Sequence, residues 1–344
     1  MEITSKTHVE VKPFKFTGNA SEYFRIWIIN VGLTILTLGI YSAWAKVRSK
    51  RYFYSNTYLD DTTFEYLAEP LKILKGRLIA VAVFAVYIGV TRFYPLGEII
   101  LIIAFIVLLP WLVIKALAFN AINSSYRNIH FNFKANFYEA GWLFFGIPFA
   151  ILFTFGLAYP YFVFRRYQFT INNSYYGTTA FSFEAKSYDF SNIYFKAIGL
   201  FIFATLVLGL LVFSWSGITR SNFSASIDSS FLGGLVYLVF FAYLKTNVTN
   251  FVFSHTHLGK LRLESTLQFK QMLWLYLSNA IGIMLSLGLL IPWAKIRMLH
   301  YRLAHLKLHV TGGDDLNNFV AAEQEKVSAT GEELSDLFDI EIGL

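Results

Sequence analysis

Two short blocks carry the groups best suited to hold a phosphate. Trp44-Ala45-Lys46-Val47-Arg48 and Trp293-Ala294-Lys295-Ile296-Arg297 stand near opposite ends of the chain and share residue types and spacing. Tryptophan settles at a membrane interface, and Lys and Arg just beyond it meet anionic head groups and block export of that end. Arg adds a planar fork that takes phosphate through two parallel bonds. The plain reading of both blocks is a membrane-exit signal kept by duplication. The chemical reading is a paired basic site for lipid phosphate.

Lys115 and Lys245 form a second pair, each five residues before an Asn (Asn120, Asn250). As snorkelling side chains they mark the inner interface; buried, they bind an anion or an acidic head group. Asn30 and Asn279 hold matched positions inside uncharged apolar runs. An amide in hydrocarbon needs a partner, usually on a neighbouring helix. Thr34 and Thr37 follow Asn30 at helical spacing, so the three make one polar stripe. That stripe, with Asn279, serves either interhelical packing or the wall of a path for a small solute.

Nothing else in the chain assembles a reaction centre. HExxH, GxSxG, a P-loop and a strand-borne GxGxxG are all missing, and His255 and His257 are two ligands without a third. Glu98 has no acid partner nearby in sequence. With no cysteine, thiolate sites and disulfides are excluded. Neither enzyme activity, a metal nor a cofactor is expected.

The elements that must position these groups follow from composition. The 344 residues are 56% hydrophobic, 19% aromatic and only 15% charged, where soluble domains average about 25% charged. That is the profile of a multi-pass membrane protein. The net charge of +7 hides two populations. From Gly313 onward there are nine acidic residues and one Lys, which leaves 28 basic and 13 acidic residues in 1–312. Positive charge at a membrane face accounts for this better than nucleic-acid binding does. The opening MEITSKTHVEVKPFKF is too polar for a signal peptide, so the first apolar run is expected to direct insertion.

Seven apolar runs occur, at 26–45, 78–94, 99–119, 141–164, 197–215, 231–244 and 272–293. Most have the ~17–25 residues that cross a bilayer core. The first aligns without a gap with the seventh, and the fourth is a degenerate copy. Between runs lies a second repeated unit: NTYLDDTTFEY from Asn56, NSSYRNIHFNF from Asn123 and NNSYYGTTAFSF from Asn172, with looser copies at His255 and His305. Their alternating aromatic ends and Gly, Asp or Asn centres are β-hairpin signals. The expected organisation is a polar start (1–13), two three-span repeats (14–128 and 129–253), half a repeat (254–312) and an acidic, disordered tail (313–344).

One conflict remains open at this level. The basic, hairpin-bearing connectors flank runs one, four and seven on both sides. Either each of these runs crosses, which makes equivalent repeats face opposite ways, or each turns back at its centre. Thr37-Leu38-Gly39, Phe155-Gly156 and Ser286-Leu287-Gly288 are the candidate breaks. Seven crossings is the simpler expectation.

The block FKFTGNASEYFRIWIINVGLTILTLGIYSAWAKVRSKRYFYSNTYLDDTTFEY, with NSSYRNIHFNF and NNSYYGTTAFSFEA, resembles the YjgN-like family of bacterial inner-membrane proteins. The resemblance covers 14 to about 312 and departs only at HTHLG, where His replaces the leading Asn. It implies a multi-pass inner-membrane location and no established activity. The fold expected is thus an α-helical multi-pass membrane protein with internal repeats, about seven spans and short β-hairpins on a basic cytoplasmic face. Two functions compete: a transporter or channel for a small solute, and a non-transporting scaffold, stress-response or anionic-lipid-binding protein. The partners expected are membrane lipids, anionic ones above all.

Overall fold

The structure, a computed structural model, describes residues 10–219, 222–310 and 316–339. Among the described residues ten strands close into one antiparallel barrel in which neighbours are also neighbours in sequence, save where β1 meets β10: β1 (Glu10–Phe16), β2 (Thr57–Leu59), β3 (Thr62–Tyr66), β4 (Ser124–Tyr126), β5 (Ile129–Phe133), β6 (Ser174–Tyr176), β7 (Thr179–Phe183), β8 (Thr256–Leu258), β9 (Leu261–Ser265) and β10 (Leu306–Val310). The ring closes where Glu10 pairs with Val310 and Pro13 with Lys307. Closure leaves no open edge to aggregate.

At one end of the barrel, four two-residue turns join β2–β3, β4–β5, β6–β7 and β8–β9. Asp60, Asp61, Arg127 and Asn128 all take positive φ there, the mirror-image turn geometry that matches strand twist. At the other end, each remaining pair of neighbours is joined by a helical hairpin. The first is α1 (Ala20–Leu36) and α2 (Ser42–Ser55). Next comes α3 (Pro70–Phe93) with α4 (Pro95–Ile122). The third runs through α5 (Phe137–Gly141), a π-helical turn (Trp142–Gly146) and α6 (Ile147–Phe153), returning as α7 (Tyr159–Asn172). The last two are α8 (Ser187–Thr219) with α9 (Asn222–Ser254), and α10 (Phe269–Leu285) with α11 (Ile291–Ala304). Adjacent helices touch all the way round, α11 returning to α1.

This arrangement corrects the expectation of about seven spans with short β-hairpins on a basic face. Among the described residues four helices are long and apolar enough to cross a membrane: Pro70–Phe93, Gly97–Ile122, Ser187–Leu211 and Leu232–Ser254. Runs one, four and seven are broken in the middle and fold back. Tyr52 on α2 donates to the Asn19 carbonyl before α1 at 2.9 Å, and Tyr301 on α11 meets Gln268 before α10, so the ends of each hairpin lie together. The break is the same three times. Leu38-Gly39, Phe155-Gly156 and Leu287-Gly288 have φ near 50° and 90°, and only Gly adopts that second conformation readily. Thr37, Thr154 and Ser286 each accept the amide of the residue four further on, at 3.0–3.1 Å, which caps the returning helix. Main-chain bonds such as Gly39 N to Thr34 O and Gly288 N to Ile283 O satisfy the turn itself. A tip of this kind carries few unpaired amides into hydrocarbon. Its outermost side chains are apolar and bare: Leu38 is 94% exposed, Phe155 98% and Leu287 95%.

The segment after β10, expected to be disordered, contains α12 (Leu316–Asp339). Leu316 and Val320 are buried, with Phe319 and Val327 packed beside them on the barrel core. The spacing of these four fits one face of a helix.

Candidate ligand site in the barrel

Alternation along the strands aims one side chain in two inward. The central residues of β3, β5, β7, β9 and β10 are Phe64, Phe131, Phe181, Leu263 and Leu308, and Phe14 of β1 stacks on Phe64 at 6.3 Å. Leu59, Tyr126, Tyr176 and Leu258 form the adjoining layer. Together they line a cavity of about 270 Å³, whose lining extends from Leu316, Phe319 and Val320 at the turn end to Phe253 of α9 at the helix end. Ring packing supports the wall: Phe64 lies 4.7 Å from Tyr126, and Phe131 lies 5.2 Å from Tyr176. The two tyrosine hydroxyls do not point polarity into the space. Tyr126 donates to Leu59 O at 2.7 Å and Tyr176 to Tyr126 O at 3.1 Å. Burial pushes both phenols above their ordinary range, so they remain neutral donors at physiological pH.

α12 closes the turn end. Glu323, 1% exposed, accepts from the Thr178 amide and hydroxyl, from the Thr179 amide at 3.0 Å, and from the Thr179 hydroxyl at 2.8 Å. Gly177 makes room: its φ is +58°, and a Cβ there would stand 2.8 Å from the Glu323 side chain. Burial works to raise the Glu323 carboxyl, yet the Thr178 and Thr179 donors hold it below the usual range. A depressed carboxylate stabilises the fold fully above its unfolded pKa of ~4.3 and loses that contribution as pH falls through its own lower value. Glu323→Gln should therefore cost about 1–3 kcal/mol at pH 7. The difference in thermal stability between wild type and variant should shrink on titration from pH 6 to pH 3.

A network of charges ties β1, two turns and α12 together. Asp60 accepts from Lys12 at 2.9 Å and Arg127 at 2.8 Å, while Arg127 donates to Asn317 of α12 at 2.7 Å. Lys12 foremost, then Arg127, hold the Asp60 carboxyl below its usual range; Glu10 and Asp60 hold the Lys12 amine above its own.

The sequence-predicted polar residues go elsewhere. The Asn30 amide reaches the Ala45 carbonyl and the Ser49 hydroxyl of its own hairpin, both at 3.5 Å, and Thr34 and Thr37 bond to main-chain oxygens one turn back. Asn279 donates to Ala294 O at 3.4 Å and accepts from Arg297 at 3.3 Å. Each Asn thus fastens the two legs of one short hairpin. Arg297 also lies 5.1 Å over the Trp293 ring, so this basic block is used within α10–α11. Trp44 stacks on Tyr41 at 6.1 Å, while Lys46, Arg48 and Lys295 are exposed. Lys115 sits 5.9 Å over Trp111. Lys245 is half-buried and lies within electrostatic reach of Arg302 and Arg166.

The signal for the barrel lay in the repeated units. Asn56, Asn123 and Asn173 each donate to the carbonyl four residues back, and the main-chain oxygen of each accepts from the residue just after the preceding strand, Thr17 after β1, Leu67 after β3 and Lys134 after β5. His255 and His305 do both jobs through Nδ1 and their own carbonyls. The His-for-Asn departure is thus an exchange of one nitrogen donor for another, and β8–β9 forms as the other turns do.

A ring of helices, four of them long enough to cross a bilayer and all set on a closed β-barrel, defines an integral membrane protein. The chain belongs to the family of bacterial proteins of unknown function DUF898, whose model matches residues 11–337. It is similar to the inner membrane protein YjgN of Salmonella typhimurium, 30% identical over 138 residues, and of Escherichia coli K12, 31% identical over 157 residues. Those matches cover 40% and 45% of this chain but only 35% and 39% of the relatives. No solved structure matches.

Proposed function

We propose that this is a multi-pass inner-membrane protein that takes a single apolar chain of a membrane amphiphile into its barrel. In this reading α3, α4, α8 and α9 cross the bilayer, and the three broken hairpins enter it part-way. The barrel and α12 stand on the basic, cytoplasmic side. The observation that carries it is the lining of the cavity, in which every contributing residue is aliphatic or aromatic. Ligand sites of this kind are concave and mostly apolar, with volumes from about 300 Å³ upward. A cavity of about 270 Å³ is roughly twice the ~150 Å³ that accommodates benzene, which suits one short chain rather than a whole diacyl lipid.

Transport or conduction of a small solute is the second reading, and the broken helices favour it, since carriers build sites from such breaks. Two features weigh against it. Asn30, Thr34, Thr37 and Asn279 are engaged within hairpins, and α12 covers the far end of the barrel. Leu308→Trp separates the readings by filling the cavity. Protein in phosphatidylcholine nanodiscs should bind decanol, and the variant should lose at least tenfold in affinity with little change in melting temperature. Unchanged decanol binding would sink the chain-binding proposal. Flux of a polar solute through reconstituted protein that survives Leu308→Trp would favour the second reading.

A further inference from the structure

We infer that the cluster of Lys245, Arg302 and Arg166 is a site for the anionic head group of the amphiphile whose chain enters the barrel. The inference rests on the chain-binding proposal and adds the ligand's polar end. The three cations come from α9, α11 and α7: Lys245 lies within electrostatic reach of each arginine, and α7 packs against α9 through Val163, Phe164, Val248 and Val252. Among the described residues none of the three makes an ion pair with a carboxylate. Arg302 lies beside Tyr276, and its buried Nε has no hydrogen-bond partner among the described residues. A buried guanidinium donor left without an acceptor is costly, and three like charges without a counterion add repulsion. One tetrahedral or planar anion relieves both, accepting from Arg302 through its fork and from Lys245 as a point charge.

The place suits an amphiphile. Arg302 is in the last turn of α11, four residues before Leu306, and Lys245 lies eight residues before Phe253 on α9. Leu306 and Phe253 both line the barrel cavity. At ~1.5 Å per residue, Lys245 stands about 12 Å from Phe253 along the helix. In this inference the chain of the amphiphile follows α9 from the cations to the apolar space. Lys115, by contrast, is exposed and lies against Trp111, and Arg297 is taken up by Ser278 and Asn279.

Three probes in phosphatidylcholine nanodiscs test this: decyl phosphate, decanol and inorganic phosphate. Wild type should bind decyl phosphate at least tenfold more tightly than decanol, and inorganic phosphate should compete only weakly. Lys245→Gln with Arg302→Gln should bring the two decyl compounds to equal affinity while leaving decanol unchanged. Arg166→Gln, at an exposed position, should narrow the ratio several-fold and keeps the test valid should the double variant fail to fold. Equal binding of decyl phosphate and decanol by wild type overturns the head-group site and leaves chain binding standing. Inorganic phosphate competing as well as decyl phosphate overturns the link to the chain. Failure of wild type to bind either decyl compound removes the chain-binding proposal itself.

Discussion

Val320→Asp should release α12 from the barrel and cost at least ~3 kcal/mol of stability. Val320 is 4% exposed and packs with Leu316 in the core formed by Tyr126, Tyr176, Leu261 and Leu308. Burial of such a side chain is worth about 1.5–3 kcal/mol. A carboxylate in its place has no donor within that apolar layer, so the helix must leave or the charge must be neutralised. Two readouts follow. Melting temperature falls, and Lys326, whose chain is now unanchored, is cut by trypsin far faster than in wild type. Val320→Leu, which keeps the contact, should change neither by much. Trypsin kinetics identical in Val320→Asp and wild type would mean that α12 does not seal the barrel.

The second large effect belongs to Asp60. Its side chain, like those of Lys12 and Arg127, is less than a fifth exposed. Removing Asp60 leaves Arg127 without its carboxylate and Lys12 with Glu10 alone, and breaking a largely buried ionic group in this way costs about 3 kcal/mol. Asp60→Ala should therefore lower stability by that order and also loosen α12, because Arg127 holds Asn317. The pH dependence has a definite sign. The depressed Asp60 carboxyl contributes fully above ~3.9 and loses its effect as pH falls below that. The elevated Lys12 amine contributes fully below ~10.4 and loses its effect as pH rises beyond that. Thermal unfolding of wild type against Asp60→Ala should show a constant gap across neutral pH that closes at both extremes. A gap that stays constant at acid pH would contradict the role given to Asp60.

Much of this architecture was written locally. The tight turns at Asp60-Asp61 and Arg127-Asn128 follow from residue type, and so do the aromatic alternations leading to Phe64, Phe131 and Phe181. The breaks at Leu38-Gly39, Phe155-Gly156 and Leu287-Gly288 were also visible. The hydropathy of their surroundings outweighed them: with Leu or Phe at a bare tip, an apolar run looks continuous across a turn that needs a single Gly. Barrel closure could not be read locally, because β1 meets β10 only after the whole chain has been traced. α12 was hidden by charge. Nine acidic residues in the final segment read as a solvated tail, and they mask the stripe of Leu316, Phe319, Val320 and Val327 set among them. The Trp-Ala-Lys blocks share a place as well as residue types: both begin the returning leg of a short hairpin. The grouping of Arg166, Lys245 and Arg302 is the least legible, since they come from three helices far apart in sequence.

The central claim is that all four tight turns of the barrel lie on one side of the membrane. The chain has no cysteine, so a single introduced thiol reports one position without ambiguity. Exposed sites at Asp61, Asn128, Ala180 and Lys260, each replaced by Cys in turn, can be labelled in intact cells and in inverted vesicles with a membrane-impermeant maleimide. The barrel predicts labelling of all four from the cytoplasmic side only. Seven crossings would place Asp61 and Asn128 on one side and Ala180 and Lys260 on the other, and that split would contradict the structure described above.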